Sequence, residues 1–572
     1  MSDVFSLLNI GVRSLSAQQT AINVCGHNIA NINTPNYSRQ SAVFSSSDPE
    51  LLGLLQIGTG TDVTQIVQHR DEYAISKANL HKGLLAFAQR KHSFISEIEQ
   101  SFVSTNAQNL GDALTEFWQA CEQVGNSPEG AAERQNLVQT ADRLTSAIRA
   151  QNARFLDQRT SANEEISQTV EQINNLAKEI ADLNVGITSA ASDEMPHAND
   201  LIDRRSEALD ELAKLIDFNM IEDDRGGVTI FVGDNRALVS ADQHNTLVCR
   251  NNAGNNGLYD IYLDDGNSQH NITSHIKGGK LGADLDARDE MVVSYMADLD
   301  ELSKTLLKTI NRAHSMGFAL RDQTSVTGAY SVYSSTVALN DALNFEGGSN
   351  LAYDSEAGTF NITITQDGEI VQSVTVAVDP DTDSLQDVVD RINSSTTYLT
   401  ASISQNRLSI TGNDGHVFVV GKDTGGVLAQ LGVNVLLTGF DSSDIQVADA
   451  IAEDPTLFAA GATFTSGDGD NALSLSQLVD EKVLADGTTT FSGFFNSIVT
   501  RAGNESASAD FDVKQETDNV NYYEGLKQQT AGVSIDEEMA NLITYQKAYN
   551  SAAYFVSVVN SMIDTVLQKL GG

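Results

Sequence analysis

The stretch SIDEEMANLITYQKAYNSAAYFVSVVNSMIDTVLQKL, residues 534–570, decides the reading of the fold. Ser534 and Glu537 stand at the spacing of a capping box. Behind them Ile535, Met539, Leu542, Gln546, Tyr549, Ala553, Val556, Asn560, Ile563, Leu567 and Leu570 keep a four-three repeat. At 1.5 Å per residue this helix is about 50 Å long. About eight large apolar side chains on the stripe represent on the order of 12 to 24 kcal/mol of gross burial energy, against a typical net domain stability of about 5 to 15 kcal/mol. Such a seam requires a cover.

The amino terminus offers a matching one. Leu8, Leu15, Ile22 and Ile29 fall seven apart, with Val4, Val12 and Gln19 between them, which predicts a second heptad helix. It should stop at Asn33-Thr34-Pro35-Asn36: Pro35 pushes Thr34 out of the helical region and Asn36 tolerates a left-handed turn. The two ends are therefore expected to meet in a coiled-coil-like module. Gln19, Gln546 and Asn560 on the seams would lower stability while fixing register. Two readings fit this pattern, a self-contained bundle with tolerated polar positions and an interface for assembly.

Between the ends, three more stripes predict helices: Leu80, Leu84, Phe87, Phe94, Ile98, Phe102; then Ile166, Val170, Ile173, Ala177, Ile180, Ile187, with Asn184 the polar exception; then Leu285, Val292, Tyr295, Leu299, Leu302, Leu306. Two stretches change period. Val228, Ile230 and Val232 alternate before Gly233-Asp234-Asn235, and Phe360, Ile362 and Ile364 alternate up to Asp367-Gly368, followed by Val374, Val376 and Val378. Ser384 then caps a short helix carrying Leu385, Val388, Val389 and Ile392. Pro35, Pro49, Pro128, Pro196, Pro380 and Pro455 all stand beside turn-forming residues and mark boundaries.

The fold class that follows is multidomain α+β: long terminal helices pairing, a helical bundle middle domain, and β-rich inserted outer domains. The expected division is 1–70 with 525–572 as the terminal module, 71–217 with 281–325 and 475–524 as the bundle, 218–280 as a β-hairpin part, and 326–474 as the β-rich insertion. At 572 residues the chain exceeds what one hydrophobic core usually supports.

Composition narrows function. A net charge of −42 repels phosphate backbones and anionic lipid, which argues against nucleic-acid partners, and the apolar runs fall well short of the ~20 residues needed to span a bilayer, so no membrane insertion is expected. Met1-Ser2-Asp3-Val4-Phe5 lacks the features of a cleavable signal peptide. Cys25, Cys121 and Cys249 are odd in number and carry no CxxC spacing, so they form neither a disulfide framework nor a zinc site. The ten histidines show no HExxH. Gly58-Thr59-Gly60 lacks the rest of a phosphate-binding fingerprint, Asp468-Gly469-Asp470-Asn471 lacks the distal Glu of a calcium loop, and no serine lies in a GxSxG elbow. No catalytic, cofactor or metal residues are assigned, and the chain is not read as an enzyme.

Two segments then carry a resemblance. Asn28-Ile29-Ala30-Asn31-Ile32-Asn33-Thr34-Pro35-Asn36-Tyr37-Ser38-Arg39-Gln40 resembles the amino-terminal signature of flagellar rod, hook and hook-associated axial proteins, and Val533–Ile543 with Tyr545–Tyr549 resembles their carboxy-terminal one. Tyr37-Ser38-Arg39-Gln40, Ala198–Arg205, Leu285–Asp289 and Asn311–His314 are closer to the hook-associated protein 1 branch. Asn36 departs from its usual Gly, and the insertion resembles modules shared with other hook and flagellin proteins. The resemblance implies a structural adaptor at the hook-filament junction of the bacterial flagellum, needed for filament assembly. It implies export through the flagellar type III pathway without a cleaved signal, and an extracellular location. The implied partners are the hook protein, a second, filament-side hook-associated protein, an export chaperone at the carboxy-terminal helix, and copies of the same chain in a helical ring. Assembly contacts would then fall on Leu8, Leu15, Ile22, Ile29, Asn31, Pro35, Tyr37 and Arg39, and on Ile535, Met539, Leu542, Gln546, Tyr549, Val556, Ile563 and Leu567. Two alternatives stay open: another rod or hook axial protein, and a secreted adhesin or antigen that uses the insertion.

Overall fold

The computed structural model describes residues 2–52, 55–103, 109–192, 198–345 and 351–570. Pro196 lies outside them, and so do the side chains of Val4 and Leu570. The structure is mixed helix and sheet and ends in a long helix, Ile535–Leu570. It divides into two compact units, one made of residues 1–93, 161–287 and 508–572, the other of 94–160 and 288–507.

In the first unit the heptad stripe at the amino terminus forms the helix Ser2–Ala30. It stops ahead of Pro35, in a turn where Asn36 takes φ 57°, the conformation that Asn tolerates and most residues avoid. The sequence reading has no strand between residues 36 and 70. The structure has an antiparallel pair, Gln40–Ser46 with Thr61–Gln68, its register shifted between Val43 and Phe44. The terminal helix packs lengthwise on Ser2–Ala30. Gly11 permits that approach, since a Cβ there would lie 2.5 Å from Val556 Cγ2.

The rest of this unit has one core. Ile166, Ile173 and Ile180 from the long helix Ala131–Ser192 and Leu209 and Leu212 from Ala198–Leu215 meet Val228, Ile230, Val232, Leu247 and Leu263 from two small antiparallel sheets. The 218–280 part therefore shares its hydrophobic core with helices. Asn184, the polar exception, is buried for a reason: its Nδ2 donates to Val228 O and Ala241 O, both at 2.8 Å, and its Oδ1 accepts from Val228 N at 3.1 Å. One amide thus pins the helix to the hairpin, satisfying groups that would be costly to bury alone.

The run from Leu285 to Leu306 is not one uniform helix. Gly279–Asp286 and Val292–Ser315 are joined by a π turn, Ala287–Met291. The π turn falls inside the seven-residue step between Leu285 and Val292.

In the second unit Phe102, Phe155, Tyr295 and Phe495 form an aromatic cluster with ring centroids about 6 Å apart. The insertion has a sealed core of its own. Gly358–Gln366 pairs with Glu369–Val378 across Asp367-Gly368, both with positive φ, as a tight hairpin turn demands. Val417–Gly421 adds a third strand, a second sheet is made of Ser325–Thr327, Arg407–Gly412 and Leu399–Ser404, and the helix Leu385–Ser395 closes the layer. Ser384 and Asp387 form a reciprocal capping box at that helix. No helix among the described residues is long and apolar enough to cross a membrane.

Candidate assembly surface

The segment Asn36–Gln40 joins both chain ends to the body of the first unit. Asn28, wholly buried at the end of the first helix, holds Gln40 by two bonds: Nδ2 donates to Gln40 O at 2.8 Å and Oδ1 accepts from Gln40 N at 3.0 Å. Tyr37 OH donates to the same Oδ1 at 2.8 Å. Ser38 N donates to Asp203 Oδ2 at 3.3 Å. Arg39 N donates to Ala531 O at 2.8 Å, and its guanidinium spans Glu537 and Glu538, each at 2.9 Å. Lys527, itself buried, donates to Asn36 Oδ1 at 2.6 Å and lies 3.8 Å from Asp210. This clasp fixes the angle at which the terminal helix leaves the unit.

Burial shapes its electrostatics. It pushes the Asp203 carboxyl up to about 6, with one oxygen left unpartnered. Burial, reinforced by a hydrogen bond with Glu538, pushes the Cys25 thiol up to about 12, which keeps it an unreactive thiol at neutral pH.

Glu537 shows how context redirects a cap. Ser534 Oγ accepts from Glu537 N at a long 3.5 Å, while the Glu537 carboxylate is taken by Arg39. The expected reciprocal box is thus opened in favour of an ion pair to the other end of the chain.

The stripes are partly rotated from the expected faces. On the terminal helix Leu542, Tyr549, Val556 and Ile563 are half-buried, but Ile535, Met539, Gln546 and Leu567 are exposed. Glu538, Tyr545, Ala552 and Val559, one residue earlier than the expected set, are packed as well. On the first helix Leu8, Leu15, Ile22 and Ile29 are half-buried, whereas Ala17, Ala21, Val24, Cys25 and Asn28 are fully buried. Asn31 caps locally on His27 O, and Pro35 is exposed in the turn. The terminal pair buries its small residues and leaves large ones outside: Phe5, Leu7 and Val12 on the first helix, and Ile535, Met539, Ile543, Phe555, Met562, Val566 and Leu567 on the last.

Sequence reasoning named Tyr37 and Arg39 but assigned no role to Glu538, Lys527, Asp203 or Asn28. One signal was present. Arg13 and Arg39 are the only Arg or Lys before Arg70, so the Glu537-Glu538 pair had few basic partners at the other end.

Comparison with known proteins bears on the whole chain. Sequence-family matches are Flagella basal body rod protein at residues 8–37, Flagellar hook-associated protein FlgK helical domain at 95–327, Flagellin hook IN motif at 359–414, and Flagellar basal body rod FlgEFG protein C-terminal at 528–569. Flagellar hook-associated protein 1 of Salmonella typhimurium is 24% identical over 98% of this chain and 99% of its own length. The chain is similar to flagellar hook-associated protein 1 over nearly its whole length. The members from Escherichia coli and Bacillus subtilis, each 23% identical, align over 98% and 100% of it. A solved structure described as the flagellar hook junction protein FlgK from Burkholderia pseudomallei shares the fold, with a TM-score of 0.53 at 18% identity, covering 80% of this chain and 100% of that one. The rod-type matches at both ends coincide with the two helices of the clasp. The IN motif falls on the hairpin, helix and following strands of the insertion.

Among the described residues no group of His, Cys, Asp and Glu is placed to hold a metal ion. Asp468, within the acidic run weighed as a calcium loop, accepts from Thr463 N and Oγ instead.

Proposed function

We infer that this chain is a structural subunit of the bacterial flagellum, acting as adaptor at the hook-filament junction and needed for filament assembly. The observation that carries this reading is the terminal helix pair. It is held at a fixed angle by Arg39 and packs along one face, while large apolar side chains stand in solvent on its other faces. A row of such side chains on a soluble subunit is a contact surface. Neighbouring copies supply its cover, and head-to-tail contacts that do not close on themselves build a helical array.

In this reading the hook protein lies below, a second hook-associated protein lies above, and an export chaperone covers the terminal helix before assembly. Export through the flagellar type III pathway, without a cleaved signal, delivers the chain to an extracellular site. The residues proposed for assembly contact are those exposed on the terminal pair, with Arg39 and Tyr37 acting from behind to hold its angle. The finer division into terminal module, helical bundle, hairpin part and inserted outer domain is proposed on the same basis. The role is mechanical, and no catalysis is assigned. The FlgK-type helical match over 95–327 favours this over a rod subunit, since the rod-type matches touch the ends alone.

Electron microscopy of a strain lacking the gene tests the proposal. Hooks without filaments, with filament subunits shed into the medium and restored by complementation, are the expected result. Normal filaments would overturn it.

A further inference from the structure

The second unit contains a cleft of about 500 Å³ that no assembly contact above uses, a size within the range of small-ligand sites, roughly 300 to 1,000 Å³. Arg149 from the helix Ala131–Ser192 and Arg407 from the strand Arg407–Gly412 both line it, with Tyr330, Thr438, Phe440, Asp444 and Gln446. Other arginines of the second unit are spent on carboxylates or, like Arg134 and Arg154, on backbone carbonyls. With Asp+Glu 77 against Lys+Arg 35, Arg143, Arg312, Arg321, Arg391 and Arg501 in the same unit each have a carboxylate within ion-pair distance. Among the described residues Arg149 reaches only the Ser146 hydroxyl, at 3.1 Å, and Arg407 has neither an ion pair nor a side-chain hydrogen bond. Both are half-buried and line the same cleft.

The rest of the lining narrows the ligand. Phe440 is half-buried and packs edge-on against Tyr330, with centroids 5.6 Å apart. Tyr330 is fixed by donating to Gly439 O at 3.0 Å. A rigid aromatic wall suits the apolar face of a sugar ring. Asp444 spends one oxygen on Phe440 N at 2.7 Å and Asp441 N at 3.1 Å. Its second oxygen stays available to accept from a hydroxyl. Gln446, exposed at the rim, adds an amide that can both donate and accept. A bare sulfate or phosphate would meet the Asp444 carboxylate as a like charge, whereas a polyhydroxylated carboxylate satisfies both kinds of group at once. Its carboxylate takes the planar forks of Arg149 and Arg407, and its hydroxyls donate to Asp444.

We propose that the cleft between Arg149, Arg407 and Phe440 binds an acidic saccharide, a sugar unit bearing a carboxylate, with the arginines as the carboxylate subsite. This goes beyond the structural role and does not depend on it, because every residue it uses belongs to the second unit.

The test is calorimetric titration of the full chain with a panel of hexuronic and sialic acid oligosaccharides, including digalacturonate, each beside its uncharged counterpart. Saturable binding of at least one acidic member, with its neutral counterpart bound at least tenfold more weakly, is expected. Arg407→Ala and Arg149→Ala should each weaken it by about ten- to a hundredfold, and Arg407→Lys by less, with the circular dichroism of every variant unchanged. Phe440→Ala should weaken neutral and acidic sugars alike. Absence of binding across the panel would overturn the proposal. So would equal binding of neutral sugars, binding indifferent to both arginine substitutions, or displacement by inorganic sulfate at the same concentration as by the sugar.

Discussion

The insertion and the terminal helix pair use similar amounts of apolar residue in opposite ways. In the insertion Phe360, Ile362, Ile364, Leu408 and Ile410 are at most 1% exposed. On the terminal helix Met539 is 44% exposed, Ile543 47%, Met562 52% and Leu567 54%. Two layers of sheet with a capped helix give every inward side chain a partner inside the chain. A pair of helices has one mutual face, so a helix with large apolar side chains on more than one face has some left over. The insertion covers its own core, whereas the terminal pair leaves apolar side chains for the proposed assembly to cover.

That contrast can be broken by substitution, and the largest effect belongs to the sealed core. Phe360→Ala should cost about 3–5 kcal/mol, read as faster hydrogen exchange throughout the insertion's strands; a cost under 1 kcal/mol would mean that this core is loose. Next comes the clasp. Arg39→Ala strands Glu538, a carboxylate 2% exposed, and should destabilise the terminal pair by about 1–3 kcal/mol once the solvent reaching Arg39 and Glu537 is discounted. Proteolysis should then open the 528–570 region first.

An effect of similar size comes from Asp203, and its sign is opposite. Burial raises this carboxyl from 3.8 to about 6, so between those values the folded state holds a proton that the unfolded state has lost. Stability is greatest below about pH 4 and falls as pH rises toward 6. Asp203→Asn should remove that slope and stabilise the first unit at pH 7 by about 1–3 kcal/mol, since an amide oxygen still accepts from Ser38 N. A melting profile as steep in the variant as in the parent would contradict the assignment. The smallest effect is Met539→Ala, within about 0.5 kcal/mol for the isolated subunit, because that side chain already stands in water.

Much of this architecture could be read from residue order. Heptad spacing gave the first helix, Asp367-Gly368 the hairpin turn, and Ser384 the cap of Leu385–Ser395, because each is a local device with its own geometry. The face of the terminal helix was harder to read. Leu542, Tyr549, Val556 and Ile563 belong equally to two overlapping four-three sets, and the set that packs includes Glu538, which hydropathy ranks last. Only Arg39, arriving from the other end of the chain, makes that position a buried one. The strand pair 40–68 was missed because Ser41, Ser45, Thr61, Asp62 and Gln65 dilute its alternation to near silence. The clasp depends on residues 28, 39, 203, 527 and 538 meeting in space, and no periodicity encodes that.

The most direct test of the account is filament counting by electron microscopy in the deletion strain complemented with a Met539→Asp, Leu567→Asp double variant. Its purified subunit should melt within about 2 °C of the parent, as expected for surface substitutions. The account predicts bare hooks despite normal secretion and a normally folded subunit, because the exposed face of the terminal helix no longer has an apolar surface to offer its neighbours. Full-length filaments in normal number would contradict it.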